Sequence, residues 1–256
     1  MAKGSYLQKY KEKEGIEFKN EERVRITIPD EDRKTFEEGR ILLIDKPLHW
    51  TSFDAVRKIR NTIGIKKVGH AGTLDPLASG LLIICTGKFT KKINELMIQE
   101  KTYSGTITIG ATTPTFDRES DPENIIDFSQ VNERDIQEAI NKLTGKILQK
   151  PPIYSAIKKN GTALYELARR GEDVDPEPRA VTIHEFIITG LRLPEIDFKI
   201  VCSTGTYIRS VANDLGELLG CGGYLSALRR TAIGEYKVED ALTVDDFLKT
   251  LQHQNG

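Results

Sequence analysis

Cysteine and histidine, the residues that would anchor the simplest functional readings, are scarce. The 256-residue chain has three cysteines, Cys85, Cys202 and Cys221; an odd number at wide spacing argues against a disulfide framework and suits reduced thiols. His49, His70, His184 and His253 stand far apart with no C-x-x-C beside them, so no metal-ligand spacing is present and no metal is expected. Neither G-x-x-x-x-G-K-[ST] nor a G-x-G-x-x-G after a strand occurs, which removes the usual cradles for nucleotide phosphates, and no cofactor is expected. Long apolar runs are missing too, and "MAKGSYLQKYKEKEG" is too charged for a signal peptide, so the expected location is the cytoplasm. An excess of charge is also lacking. With 37 basic and 38 acidic residues the net charge is −1, so a nucleic-acid partner would have to be held by a local basic surface.

Such a concentration of charge exists. Between Arg57 and Lys101 there are nine lysines and arginines, among them Lys66, Lys67, Lys88, Lys91 and Lys92, against only Asp75, Glu95 and Glu100, whereas 117–138 is mostly acidic. A solvated face is the ordinary fate of such a run, and a polyanion site is the functional alternative. The 38% of hydrophobic residues suffices for a sizeable core.

Residues 1–39 alternate Lys and Glu, with a period-two strand pattern only in "ERVRITI" at 22–28, and read as a charged extension. The ordered body is expected to begin at "RILLIDKP", a short buried strand stopped by Pro47. A helix should follow, with Ser52 as N-cap, a stripe of Phe53, Val56, Ile59 and Ile63, and Gly64 as its left-handed stop. "GLLIICTG" reads as a buried strand, and "KTYSGTITIGATT" as an alternating one with Tyr103, Ile107 and Ile109 on one face. Helices are predicted over 132–144, 163–170 and within "TVDDFLKTL", and "IDFKIVCSTGTYIRSVANDLGELLG" runs from strand through a glycine turn into a helix. The irregular order of elements implies an α+β fold with a mixed, mostly antiparallel sheet and flanking helices.

One stretch, "GHAGTLDPLASG" at 69–80, sets a single acid, Asp75, before a proline and a buried strand. Asp-Pro is an ordinary turn dipeptide, and its backbone is pushed to extended geometry. The company of Gly69, Gly72, Gly80 and Thr73 is what singles it out, since glycines permit close approach by another molecule. Tyr103 reads either as a core tyrosine or as a platform on which a base stacks. In "GTYIRS", Arg209 is either a structural ion-pair partner or the group that aims a catalytic carboxylate, and Tyr207 raises the same choice.

Taken together, "LLIDKPLHWTSFDAV", "GHAGTLDPLASGLLIICTGKFTK", "KTYSGTITIGATTPTFD", "KPPIYSAIKKNGTALYELARRG", "CSTGTYIRSVANDLG" and "LSALRRTAIG" resemble, in order, the motifs of the TruB family of tRNA pseudouridine synthases over roughly 40–250. The resemblance implies the pseudouridine synthase fold and a cofactor-free isomerisation of uridine 55 in the T-loop of tRNA. By the same resemblance Asp75 is the essential acid, Tyr103 stacks on the target base, and Arg209 pairs with the acid. Tyr207 is a second active-site tyrosine, His70 fills the space left by the extruded base, Lys46 is the lysine of the early K-P motif, and Leu228 lies near the base. It further implies a catalytic domain over 40–256 with a thumb-like insertion at about 152–178; many members continue into a C-terminal RNA-binding PUA domain, and in a departure from them none is expected here. A monomer that needs neither a guide RNA nor an obligate protein partner is the expected state. Two other classes compete: an RNA-binding module that flips the loop without chemistry, and a glycoside hydrolase, disfavoured because no second acid is found within the matched motifs.

Overall fold

The computed structural model describes residues 28–253 except 156, 160 and 173, so most of the strand pattern at 22–28 lies outside it. In chain order the described residues form α1 (Asp30–Glu38), β1 (Ile41–Lys46), α2 (Ser52–Ile63), β2 (Val68–His70), β3 (Ala78–Thr86), α3 (Ile93–Met97), β4 (Lys101–Ile109) and α4 (Glu133–Leu143). They continue with β5 (Gly145–Gln149), β6 (Lys158–Lys159), β7 (Thr162–Ala163), α5 (Leu164–Arg169), β8 (Arg179–Arg192), β9 (Glu195–Cys202) and α6 (Ile208–Leu219). The last are β10 (Gly223–Ile233), β11 (Tyr236–Lys237), β12 (Leu242–Thr243) and α7 (Val244–His253). None of these helices is long and apolar enough to cross a membrane. The chain divides into two compact units, Met1–Leu96 with Val238–Gly256, and Met97–Lys237.

In the first unit β3 is the central strand. β1 runs antiparallel along it from Ile41 opposite Cys85 to Lys46 opposite Gly80, and β2 pairs with its later half, His70 opposite Ile84. β12 adds to β1 in parallel. The continuous apolar run predicted from sequence is fully enclosed: Leu81, Leu82, Ile83, Ile84 and Cys85 are all 0% exposed. One core joins Ile44, Val56, Ile59, Ile63, Leu82 and Ile84 to Val244, Phe247 and Leu251 of α7.

Three expectations change here. Part of the charged leader is structured, because Ile28 and Phe36 are buried in this core and the Phe36 ring meets Phe247 edge-on at 6.4 Å. The Thr86 hydroxyl also donates to the Phe36 carbonyl (2.8 Å), which ties α1 to β3. In α2 the N-cap is Thr51, not Ser52: its hydroxyl accepts from the Asp54 N–H while the Asp54 carboxylate accepts from the Thr51 N–H. Phe53 does not join the apolar stripe but stands exposed with the Arg57 guanidinium 5.9 Å from its ring, whereas Gly64 takes the predicted left-handed stop (φ 68°).

The second unit is an antiparallel sheet in the order β10–β4–β9–β8–β5, with β11 folded back on β10. Tyr103, Ile107 and Ile109 are buried together as the alternation predicted. α4 is capped by Asn132, the first residue of the predicted span, whose side chain accepts from the Arg134 and Asp135 N–H groups, and it buries Ile136, Ala139, Ile140 and Leu143. α6 lies against β10 at a close approach that only glycine permits, since a Cβ on Gly216 would fall 2.0 Å from the Gly223 nitrogen. The β6–β7 hairpin and α5 occupy the segment assigned to the insertion. Among the described residues the strands of each unit pair antiparallel apart from β1–β12 in the first, and the α+β expectation holds.

Candidate active site

Three of the sequence-predicted site residues, Lys46, His70 and Asp75, belong to the first unit, and four, Tyr103, Tyr207, Arg209 and Leu228, to the second. Asp75 is half-buried in the turn that enters β3. Its carbonyl accepts from the Ala78 N–H (3.0 Å), and the carbonyls on either side are held as well: Leu74 by the Ser52 hydroxyl (3.1 Å) and Pro76 by the His49 N–H (2.7 Å). Gly72 before Asp75 and Gly80 within β3 have φ of 101° and 106°, so the backbone itself favours glycine at both, whatever else approaches.

Lys46 is 0% exposed, and its ammonium donates to the carbonyls of Pro47 (2.9 Å) and Trp50 (2.7 Å). It therefore fastens the turn that carries His49, itself in the left-handed region at φ 67°. His70 closes β2, half-buried.

In the second unit Arg209 projects from the first turn of α6 and is 5% exposed. Its guanidinium donates to the carbonyls of Thr115 (3.2 Å) and Tyr154 (3.1 Å) and stands 3.6 Å from the Asp117 carboxylate. Asp117 is a buried acid, and it closes the motif "KTYSGTITIGATTPTFD", so the expectation of no further acid within the motifs is corrected. Its carboxylate accepts from the Thr115 hydroxyl (2.6 Å) and the Glu119 N–H (2.8 Å) as well as facing Arg209, which is the environment of a structural anchor rather than of a general acid. The acid is visible in the motif, but its pairing with Arg209, 92 residues on, has no local signal.

Tyr207 is the N-cap of α6 but offers no side-chain cap. Gln149, 2% exposed, instead holds the backbone of the cap residue: its carbonyl oxygen accepts from the Tyr207 N–H (2.7 Å) and its amide donates to the Tyr207 carbonyl (3.1 Å). The Ser210 hydroxyl adds a bond to the Lys150 carbonyl (2.8 Å), so the end of β5 fixes the turn bearing Tyr207 and Arg209.

Tyr103, 9% exposed, sits on β4 in register with Arg230 of β10 and Ile200 of β9. Leu228, half-buried, lies opposite Gly105, where a Cβ would come within 2.3 Å of the Ala227 carbonyl oxygen. Beside Tyr103 are two buried cations, Arg230 (1% exposed) and Lys101 (6%). Lys101 thus leaves the basic surface to which its position in the chain assigned it. Its ammonium donates to the carbonyls of Met97 and Gln99, and burial first, then the charge of Arg230, pushes its pKa down to about 8. All three thiols are buried, and burial raises each of them, Cys202 to about 11, which makes them inert rather than nucleophilic.

The model of the TruB family pseudouridylate synthase N-terminal domain matches residues 60–208, well over half of the chain, and that of the tRNA pseudouridylate synthase B C-terminal domain matches 209–255. The chain belongs to the TruB family of pseudouridylate synthases. It is 54% identical to the tRNA pseudouridine synthase B of Flavobacterium johnsoniae over 222 residues, covering 84% of this chain and 97% of the relative. The tRNA pseudouridine synthase B of Chlorobaculum tepidum is 51% identical over 214 residues, 82% of this chain and 89% of the relative. Among solved structures the chain is similar to one in a Cbf5–Nop10–Gar1 complex, at 26% identity and a TM-score of 0.65 over 87% of this chain and 58% of that one. A chain of an H/ACA ribonucleoprotein bound to a substrate RNA containing 2'-deoxyuridine gives 25% identity and a TM-score of 0.64, over 86% and 55%. The present chain spans little more than half the length of those two. As a pseudouridylate synthase the protein is an isomerase, and its α+β architecture is the pseudouridine synthase fold.

Proposed function

We propose that the protein converts uridine 55 in the T-loop of tRNA to pseudouridine. Relatives of about its own length, named tRNA pseudouridine synthase B, support tRNA as the substrate. The reaction breaks the bond from uracil N1 to C1′, turns the base, and joins C5 to C1′, after which the proton on C5 leaves and N1 gains one. Atoms are conserved, so neither an oxidant nor a cofactor is required. The target base must first leave its stack, at about a few kcal/mol.

The observation that carries the reading is Asp75, an acid whose neighbouring carbonyls are all held and which stands at the head of a strand with 0% exposure from Leu81 to Cys85. As a carboxylate it either adds to C1′ or withdraws a proton beside it, and both routes demand a fixed distance to the sugar. Arg209 pairs with Asp75 in this reading, and Tyr103 gives the flipped base an aromatic face. Tyr207 and Leu228 line the base, His70 occupies the space it vacates, and Lys46 completes the substrate-binding set. Exposed Lys66, Lys67, Lys88, Lys91 and Lys92 supply phosphate contacts on a chain without net positive charge, and the segment at 152–178 closes over the RNA. The protein acts as a cytoplasmic monomer without a guide RNA.

A T-loop minihelix incubated with the purified full chain, then mapped for pseudouridine by chemical labelling and mass spectrometry, tests this. One pseudouridine at position 55 is the expected result. Conversion of another uridine alone, or binding without conversion, would overturn it.

A further inference from the structure

The N-terminal turn of α2 has a hydroxyl that its helix does not use. Thr51 caps the helix, yet Ser52, 3% exposed, accepts from the Leu74 N–H (2.8 Å) and donates to the Leu74 carbonyl (3.1 Å), 22 residues away. We propose that Ser52 is a positioning residue for the isomerisation, gripping the residue before Asp75 and so fixing where the carboxylate stands over β3. The inference rests on Asp75 being the reacting acid.

Three consecutive carbonyls, those of Leu74, Asp75 and Pro76, each receive a donor, from Ser52, Ala78 and His49 in turn. Of these donors only Ser52 acts through its side chain. The Leu74 carbonyl belongs to the peptide unit that ends at the Asp75 nitrogen, so holding it sets the plane from which Asp75 departs. Pro76 restricts Asp75 to extended backbone on the other side. With Leu74 itself 3% exposed, water does not compete for these bonds, and removing the hydroxyl leaves a buried N–H and C=O without it. Burial also keeps Ser52 from touching RNA, which separates its effect on rate from any effect on binding. A displacement of about 1 Å can cost about a hundredfold in rate, so a loosened peptide is enough to disable an acid that is chemically intact.

Ser52→Ala and Ser52→Thr, made in the full chain, test this through single-turnover conversion at saturating protein, minihelix affinity, and hydrogen exchange of the Leu74 amide. In Ser52→Ala the Leu74 amide should exchange at least about tenfold faster. Its single-turnover rate should fall by about 10- to 100-fold while the dissociation constant stays within about twofold. Ser52→Thr, which keeps the hydroxyl, should recover the rate to within about threefold of the wild type. A Ser52→Ala protein that reacts at the wild-type rate, a loss confined to affinity, or a folded Ser52→Thr protein as slow as Ser52→Ala would each overturn the proposal. A wild type that fails to convert uridine would sink the functional reading instead, and the exchange of Leu74 would still decide whether the brace exists.

Discussion

Asp214 stands half-buried on α6, and burial, followed by the nearby charge of Glu217, raises its carboxyl from 3.8 to about 6. The folded chain thus holds this proton more tightly than the unfolded chain does. Above about pH 6 the ionised side chain costs stability, and below 3.8, where both states are protonated, that cost is gone. Asp214→Asn should therefore raise the urea midpoint at pH 7.5, with an advantage that shrinks as the pH falls through this window. An equal advantage at pH 7.5 and pH 4, or none at either, would show that the carboxyl is not shifted. At this scale the sequence revealed residue types but not their partners. Asp75, Tyr103 and Arg209 stood out because a motif surrounds them. Ser52, Gln149 and Asp117 did not, since the partners that matter, Leu74, Tyr207 and Arg209, lie 22, 58 and 92 residues away along the chain.

Among the elements, α6 shows how packing overrides propensity. Glycine inside a helix is disfavoured by about 1 kcal/mol relative to alanine, so Gly216→Ala would stabilise an isolated helix. Here the added Cβ would lie 2.0 Å from the Gly223 nitrogen and 2.2 Å from the Gly222 carbonyl carbon, both backbone atoms with little room to move. The overpacking should dominate and destabilise the protein by about 1–3 kcal/mol, displacing the helix that carries Arg209. Urea unfolding of Gly216→Ala measures it, and a midpoint at or above the wild-type value would contradict the packing argument. The long periodic or uniformly apolar elements, β1, β3, β4, α2 and α4, were legible because their burial follows from local pattern. α1 was not, because nine mostly polar residues, DEDRKTFEE, bury only Phe36 within the helix, and a single anchor makes no period. The cap of α2 was misplaced by one residue for a related reason: Thr51 and Ser52 are both competent N-caps, and only the tertiary demand of Leu74 decides which hydroxyl is used where.

At the scale of the whole molecule, the division of 40–256 into two compact units escaped the sequence, because the first is completed by residues from Val238 onward. No local signal says that α7 returns to pack with Phe36 and Ile59, yet Val244, Phe247 and Leu251 share one core with them. Family membership follows from matches along nearly the entire body of the chain. The central claim is that one carboxylate, held by the framework around it, performs the isomerisation. Asp75→Asn preserves shape and most hydrogen bonding but removes the charge and the nucleophile, so minihelix affinity should remain within about tenfold, about 1.4 kcal/mol. Single-turnover conversion should fall at least about a thousandfold, roughly 4 kcal/mol on the barrier, because the amide offers no substitute for the carboxylate. The decisive measurement is that single-turnover rate beside a binding curve at one stated salt concentration: intact binding with conversion lost is the predicted result, and an Asp75→Asn protein that isomerises uridine near the wild-type rate would contradict the account.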